Sequence, residues 1–345
     1  MKLGLQLGYW SAQPPAHALE KLLEAERLGF DVAFTAEAWG SDAFSPLAWW
    51  GASTSRIKLG TSIVQISART PTSTAMHALT IDHLSGGRLV LGLGLSGPQV
   101  VEGWYGQPFS KPLARTREYV DIIRQVLARE APVTSSGPHF PLPYTGEGAL
   151  GYGKPLRPIV HPLRADVPIL LGAEGPKNVA LTAEIADGWL PIYYSPKVAS
   201  MYNEWLGEGF ARPGARRSAA DFEIATNCSV VVTDEREKVL DTMKPMLGFY
   251  IGGMGAKEMN FHKNVFGRMG YEKEADEIQD LFLEGKRDQA IATVPSQMVA
   301  DISLVGTKEQ IRDELPMWEE AGITTLVVGA GSLEEMRSVA DVILG

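Results

Sequence analysis

A chain of 345 residues with 45% apolar and 21% charged content has the composition of a globular protein with a large core, which excludes the disordered and fibrous classes. A net charge of −9 at pH 7 argues against a general nucleic-acid surface, since backbone binding needs clustered lysine and arginine. The single cysteine, Cys228, excludes an internal disulfide and fits a reducing compartment.

Strand and helix signals then take turns along the chain. Lys2 to Gly8 alternates as a strand and turns polar too soon for a signal peptide. No apolar run could span a bilayer, so a cytoplasmic protein is expected. Pro15 to Leu28 carries Ala18, Leu19, Leu22, Leu23, Ala25 and Leu28 at helical spacing. Further strands are expected at Phe30 to Thr35, Ile57 to Ile63, Arg88 to Leu93, Val167 to Gly172, Gly188 to Ile192, Ile224 to Val232 and Thr324 to Gly329, which makes eight with the first. Cys228 lies in the seventh, as a buried inert thiol. Helix starts are punctuated to match. Ser45-Pro46, Thr70-Pro71 and Ser195-Pro196 each pair a capping hydroxyl with proline at the first helical position, and Thr307 with Gln310 and Ser332 with Glu335 read as capping boxes.

Eight strands interleaved with helices predict an α/β protein, a parallel (β/α)8 TIM barrel covering residues 1–345 as one domain, with chemistry on loops at the carboxyl ends of the strands. Two segments interrupt the alternation. Ala131 to Asp166 holds seven prolines and five glycines, a composition that serves a lid over a site and a stiffened surface loop equally well. The second runs from Met246 to Pro295, the insertion reaching about residue 305, and is expected to add helices over the top or side of the barrel. Gly92-Leu-Gly-Leu-Ser-Gly97 matches a dinucleotide-binding fingerprint, but it falls fourth in the series, precedes Pro98 and has no following strand that ends in an acid.

Metal chemistry is not expected, because His17, His77, His83, His139, His161 and His262 do not pair at ligand spacing. Neither a G-x-S-x-G elbow nor a phosphate-binding G-x-x-x-x-G-K-[ST] loop is present. Two places do carry chemistry. Glu37 directly follows an apolar strand, beside Trp39, where partial burial would raise its pKa and suit it to hydrogen bonding or proton transfer; the plainer reading is an acid capping the next helix. In Val167-Pro-Ile-Leu-Leu-Gly-Ala-Glu-Gly-Pro-Lys-Asn-Val179, an apolar strand enters a glycine-rich turn and a helix start. Such a turn directs free N–H groups and the positive end of a helix dipole at an anion, or needs its glycines only for geometry.

Taken in order, Gly29-Phe-Asp-Val-Ala-Phe-Thr-Ala-Glu37, Leu59-Gly-Thr-Ser-Ile63, Leu84-Ser-Gly-Gly-Arg-Leu-Val-Leu-Gly-Leu-Gly94, Leu171-Gly-Ala-Glu-Gly-Pro-Lys177 and Glu184-Ile-Ala-Asp-Gly-Trp189 resemble the bacterial-luciferase-like flavin-barrel superfamily over nearly the whole chain. Gly97-Pro-Gln-Val-Val-Glu-Gly-Trp104, Arg115-Thr-Arg-Glu-Tyr119, Tyr250-Ile-Gly-Gly-Met-Gly255 and Asn260-Phe-His262 are similar to its oxidoreductases that use the 8-hydroxy-5-deazaflavin coenzyme F420.

The resemblance implies hydride transfer between the deazaflavin and a small organic substrate, and a homodimer. It places Glu37 near the ring as a catalytic and cofactor-binding acid. Thr61 and the Ser62-Ile63 step fall where a non-proline cis peptide often forms a bulge behind the ring. Gly94, Ser96 and Gly97 stand beside the cofactor, and Gly172, Ala173, Glu174, Gly175, Pro176 and Lys177 stand where its phosphate docks. Tyr9, Tyr193 and His262 follow Glu37 as proton partners. Where sugar-phosphate dehydrogenases of the family and the methylene-tetrahydromethanopterin reductases place histidine after the acid this chain has Ala38, and where the dehydrogenases place an acid in the fourth-strand loop it has Gly97, which argues against glucose 6-phosphate. The alternatives are an FMN-dependent two-component monooxygenase and an F420-binding barrel without turnover.

Overall fold

The computed structural model describes residues 1–255, 257–329 and 331–345. Its strands are β1 (Lys2–Gly8), β2 (Val32–Thr35), β3 (Lys58–Thr61), β4 (Val64–Gln65), β5 (Leu89–Gly94), β6 (Ile169–Leu171), β7 (Gly188–Trp189), β8 (Glu223–Asn227), β9 (Ser229–Val232), β10 (Ser303–Gly306) and β11 (Thr325–Val328). Eight of them run in parallel in the order β3-β2-β1-β11-β8-β7-β6-β5, and β5 pairs back onto β3 through Leu59 with Leu89 and Gly60 with Val90. That closes a (β/α)8 barrel from the eight strands expected in the sequence.

The barrel interior is filled by side chains from alternate strand positions: Val32, Phe34, Val90, Leu170, Leu190, Ala225 and Val327 form one buried cluster. Gly60 makes room for the largest of them, since a Cβ there would sit 2.4 Å from the Phe34 ring. Helices pack their apolar faces on the outside of the strands, in two larger clusters on opposite flanks.

The seventh predicted strand is two strands. After Asn227 the chain leaves the barrel at the buried Cys228, whose thiol pKa is pushed up by burial, and β9 pairs in parallel with β10 outside it. β10 was not expected, because Ser303-Leu-Val-Gly306 is too short to display a period.

Caps follow the sequence in most places. The Thr70 hydroxyl accepts from the Ser73 N–H, and the Thr307 and Ser332 boxes are complete. Ser45-Pro46 is a correction: the helix starts earlier, at Phe44, and Asp42 accepts the Ser45 N–H at 2.8 Å instead. Ser195 opens only a 3-10 turn, Pro196–Val198, with no side-chain cap bond.

The segment 131–166 is a strap on the outside of the barrel. The Glu118 carboxylate accepts the N–H groups of His139 and Phe140, Phe140 meets Tyr119 edge-on at 5.5 Å, and Arg164 binds Asp82 and the Leu89 carbonyl. Leu89 begins its strand, so the far end of the strap returns to the amino-terminal end of the barrel, while Phe140 packs on Tyr119, whose hydroxyl donates to the Arg69 carbonyl. Both ends are held against the outer wall, as in a stiffened surface loop. The second inserted segment is helical and begins earlier than expected, at Arg236. Helices Arg236–Gly253, Phe261–Phe266, Glu272–Leu283, Arg287–Thr293 and Ser296–Ala300 share a core of Leu240, Leu247, Ile251, Phe266, Ile278 and Met298. Tyr193, just beyond β7, packs against that core, which places this layer beside the mouth.

At the opposite end, the Glu26 carboxylate ties a helix to the start of β3 by accepting the N–H groups of Ser55, Arg56 and Ile57. Burial would raise its pKa, but those donors outweigh it and hold the group at about 2, against 4.5 ordinarily. A depressed folded pKa means that the stabilisation is fully present above pH 4.5 and is lost as pH falls towards 2. The urea midpoint should therefore stay level from neutral pH to about pH 5 and then fall, and Glu26→Gln should lower the neutral plateau while making the acid slope shallower. A slope identical to that of the parent would contradict this.

Candidate functional site at the barrel mouth

The carboxyl ends of the strands bring most of the expected residues together. Glu37 leaves β2 with its N–H bonded to the Ile63 carbonyl at 3.2 Å. Its Oε1 accepts from the Gln65 N–H at 2.9 Å and from Arg69 Nη1 at 2.8 Å, and its Oε2 accepts from the Ala43 N–H at 3.2 Å. The side chain is 2% exposed. The carboxylate is thus more than partly buried and is locked by one guanidinium and two amides, one of them the Ala43 N–H directly before the helix that starts at Phe44.

Arg69 responds in kind: burial opposes its charge, but the Glu37 contact outweighs this and raises its pKa. Arg69 also lies over the Phe44 ring, 5.2 Å from its centroid. Ala38 offers no titratable group. Its carbonyl accepts from Gln65 Nε2 at 3.1 Å and from the Tyr105 hydroxyl at 3.2 Å.

Across from Glu37, the Ser62-Ile63 peptide bond is cis. Thr61 is fully buried behind it, with its hydroxyl bonded to the Gly92 carbonyl at 2.8 Å. The turn brings Ile63 over the barrel-interior cluster, half-buried, where it forms the floor of the mouth. Gly94 and Gly172 flank that floor. A Cβ on Gly94 would lie 2.8 Å from Ile63 side-chain carbons, and one on Gly172 would lie 3.4 Å from Ile63 Cγ2. Ser96 holds a left-handed backbone at φ 62°, and Gly97 precedes the short helix Pro98–Gly103. Gly97 itself is not an acid; Glu102, later in that helix, accepts the Phe109 N–H at 3.4 Å.

The turn after β6 has the build that the sequence implies. Ala173 is buried, and its carbonyl accepts from Trp189 Nε1 at 2.8 Å. Gly175 precedes the helix Pro176–Ile185 in an extended conformation with no side-chain cap, unlike Thr70, Thr307 and Ser332. A Cβ on Gly175 would meet nothing within 4 Å. Uncapped amides beside open space, with Lys177 in the first turn, suit an anion.

Glu174 points away from those amides towards the inserted helices. Its Oε1 lies 3.0 Å from His262 Nδ1, and the His262 ring stands edge-on to Tyr250 at 5.1 Å and to Tyr193 at 6.1 Å. Arg268 donates to the Glu174 carbonyl at 3.3 Å. Tyr9, beyond β1, is half exposed at the same mouth. Glu37 and His262 thus belong to two separate polar groups.

Sequence reasoning passed over Arg69, Gln65, Tyr105 and Arg268. Arg69 carried one usable signal, a charged residue directly before the Thr70-Pro71 helix start at a strand's carboxyl end. Gln65 ends the two-residue strand β4, Arg268 lies in the helical turn Gly267–Tyr271 and Tyr105 lies in a loop, and the fold alone brings them inward.

A cavity of about 120 Å³ lies at the amino-terminal end of the barrel. Most of its lining charges are paired, Lys58 with Asp31, Arg164 with Asp82, Asp187 with Arg124 and Glu223 with Lys2, and Arg88 donates to the Ile57 and Thr54 carbonyls, so it belongs to the barrel floor, where charge pairing serves stability. Among the described residues no group of three or more metal-ligating side chains occurs, and no helix is long and apolar enough to cross a membrane.

Comparison with known proteins agrees with this geometry. A Mycobacterium tuberculosis protein provisionally named as a coenzyme F420-dependent oxidoreductase is 63% identical over 343 residues, which is 99% of this chain and 99% of that protein. The 5,10-methylenetetrahydromethanopterin reductase of Archaeoglobus fulgidus is 30% identical over 89% of this chain and 87% of its own length. The solved structure of the coenzyme F420-dependent tetrahydromethanopterin reductase of Methanopyrus kandleri shares the fold with a TM-score of 0.79, at 23% identity and covering 99% of this chain and 98% of that one. The model of the luciferase-like monooxygenase family matches residues 3–325; with the closed barrel, the cis step at Ser62-Ile63 and the glycine turn after β6 on one mouth, the chain belongs to that family.

Proposed function

We propose that the protein is a coenzyme F420-dependent oxidoreductase that moves a hydride between the deazaflavin and a small organic substrate at the barrel mouth. The observation that carries this reading is the meeting of the Ile63 side chain with Gly94 and Gly172, which bring no side chain of their own, beside an uncapped glycine turn. A planar ring fits the first and a phosphate the second. The names of the two relatives above point the same way.

The residues divide the work by position. Ile63 supports one ring face, and the glycines at 94 and 172 let the ring approach the backbone. The N–H groups of Glu174, Gly175 and Lys177, with the Lys177 ammonium, hold the phosphate. Glu37 acts through Arg69 and the Gln65 amide, keeping the bulge in place as a positioning residue. Tyr9, Trp39 and Phe261 are exposed apolar side chains around the opening, able to cover a substrate and exclude water. When bound, the deazaflavin supplies hydride chemistry at carbon 5 and lacks the flavin nitrogen that activates oxygen, so reduction or dehydrogenation is favoured over oxygenation. A cytoplasmic homodimer completes the proposal; Trp49, Met76 and Leu84 stand exposed on two outer helices, as a subunit contact would require.

Anaerobic incubation with reduced F420 and a panel of enones, imines and nitro compounds tests turnover. Steady reappearance of the oxidised deazaflavin absorbance with any of them is expected. Its absence across the panel, with the cofactor bound, would favour a barrel that only carries the cofactor.

A further inference from the structure

A turn built only to hold an anion has no use for an acid, yet Glu174 sits inside this one. Its side chain is 20% exposed and faces His262, which is 17% exposed. The contact is close but poorly directed: at 3.0 Å it is an ion-pair distance, while His262 Nδ1 and Glu174 Oε2 are both left without a hydrogen-bond partner. Two buried polar atoms without partners mark an arrangement poised for a change of charge or of contact.

The groups around the imidazole come from every element packed on it. From beyond β7 and from the helix Arg236–Gly253 come Tyr193 and Tyr250, whose phenols burial keeps protonated at neutral pH. Tyr9, beyond β1, lies beside Tyr250. Lys263, the next residue, is engaged by Gln279 and Asp276. Arg268 binds the Glu174 backbone carbonyl rather than its carboxylate. The carboxylate of Glu174 is therefore the charge that His262 meets directly, and an anion docking on the Gly175 amide brings a second negative charge to the neighbouring residue.

We infer that Glu174 and His262 couple anion docking to proton uptake: when the phosphate-bearing part of the cofactor settles on the turn, His262 takes one proton from solvent and its positive charge offsets the two neighbouring negative ones. This rests on the phosphate-docking reading proposed above. Histidine is the side chain suited to the task, because its charge changes in the physiological range. Linkage gives the sign. A group that binds protons more tightly in the complex makes binding stronger as pH falls, by up to tenfold per pH unit while one whole proton is taken up. The pair thereby selects ligand by charge, since a ligand lacking the anion gains nothing from the added proton.

Calorimetric titration of the full chain with F420, in two buffers of different ionisation enthalpy at the same pH, counts the protons taken up per cofactor bound. Between pH 7 and 8 the parent should take up a substantial fraction of one proton, whereas His262→Gln should lose that uptake and bind several-fold more weakly. Glu174→Gln should also lose most of the uptake yet bind as tightly as the parent or more tightly, a pattern that damage to the fold would not produce. Equal uptake in all three proteins overturns the coupling while leaving the cofactor reading intact. Absence of F420 binding by the parent overturns the cofactor reading and the coupling with it.

Discussion

Arg69→Ala should lower the free energy of unfolding by about 3–5 kcal/mol, the range observed when one partner of a buried ion pair is removed. The reason is the environment of the charge left behind. Glu37 is 2% exposed, and its remaining donors are the amides of Gln65 and Ala43, so the carboxylate would be under-compensated in the barrel wall. It cannot turn to solvent, because both oxygens are pinned and the Glu37 N–H is bonded to the Ile63 carbonyl. Adding Glu37→Gln to Arg69→Ala should recover part of the loss, which identifies an unpaired charge rather than lost packing as the main cost. Urea unfolding of the parent, the single variants and the pair measures this. A loss below about 1 kcal/mol, the worth of an exposed pair, would show that solvent reaches the carboxylate.

The second large effect is on binding and leaves the fold alone. Gly175→Leu places a side chain where the structure has nothing within 4 Å, on backbone at φ −100° and ψ 155° that any residue adopts. Thermal unfolding should move by no more than about 2 °C, the response to a few tenths of a kcal/mol in a chain of this size. The same side chain would stand over the helix amides proposed to hold the phosphate, and the F420 dissociation constant should rise roughly 100-fold, ~3 kcal/mol. Gly94→Leu makes the contrast: its Cβ would lie 2.8 Å from Ile63, so stability and binding should fall together. An unchanged dissociation constant in Gly175→Leu would count against phosphate docking at this turn.

These two predictions differ in how far the sequence could reach them. The glycine turn and the Ser62-Ile63 step are local in the chain, and their residue types announce them. The eight barrel strands were legible for a similar reason, since each is a short apolar run bounded by helix punctuation. The partnership of Glu37 with Arg69 spans 32 positions and depends on where a loop folds, so composition alone could not pair them. That is why the sequence leaves proton transfer and helix capping both open for Glu37, which the fold locks. The strap at 131–166 was undecided for another reason: prolines and glycines stiffen a lid and a surface loop alike, and only its anchors on Glu118 and Asp82 distinguish the two. Ser45 lost its capping role to Asp42, three residues earlier, because the helix begins at Phe44. His262 was visible as a residue, but its meeting with Glu174 depends on inserted helices docking beside the mouth.

The central claim is that the mouth formed by Ile63, Gly94 and the Gly172 to Lys177 turn takes the deazaflavin. Equilibrium titration of the purified protein with F420 and with FMN, following the absorbance of each, is its most direct test. Saturable one-to-one binding of F420, with FMN bound much more weakly or not at all, is the predicted result; tight FMN binding with no binding of F420 would contradict it.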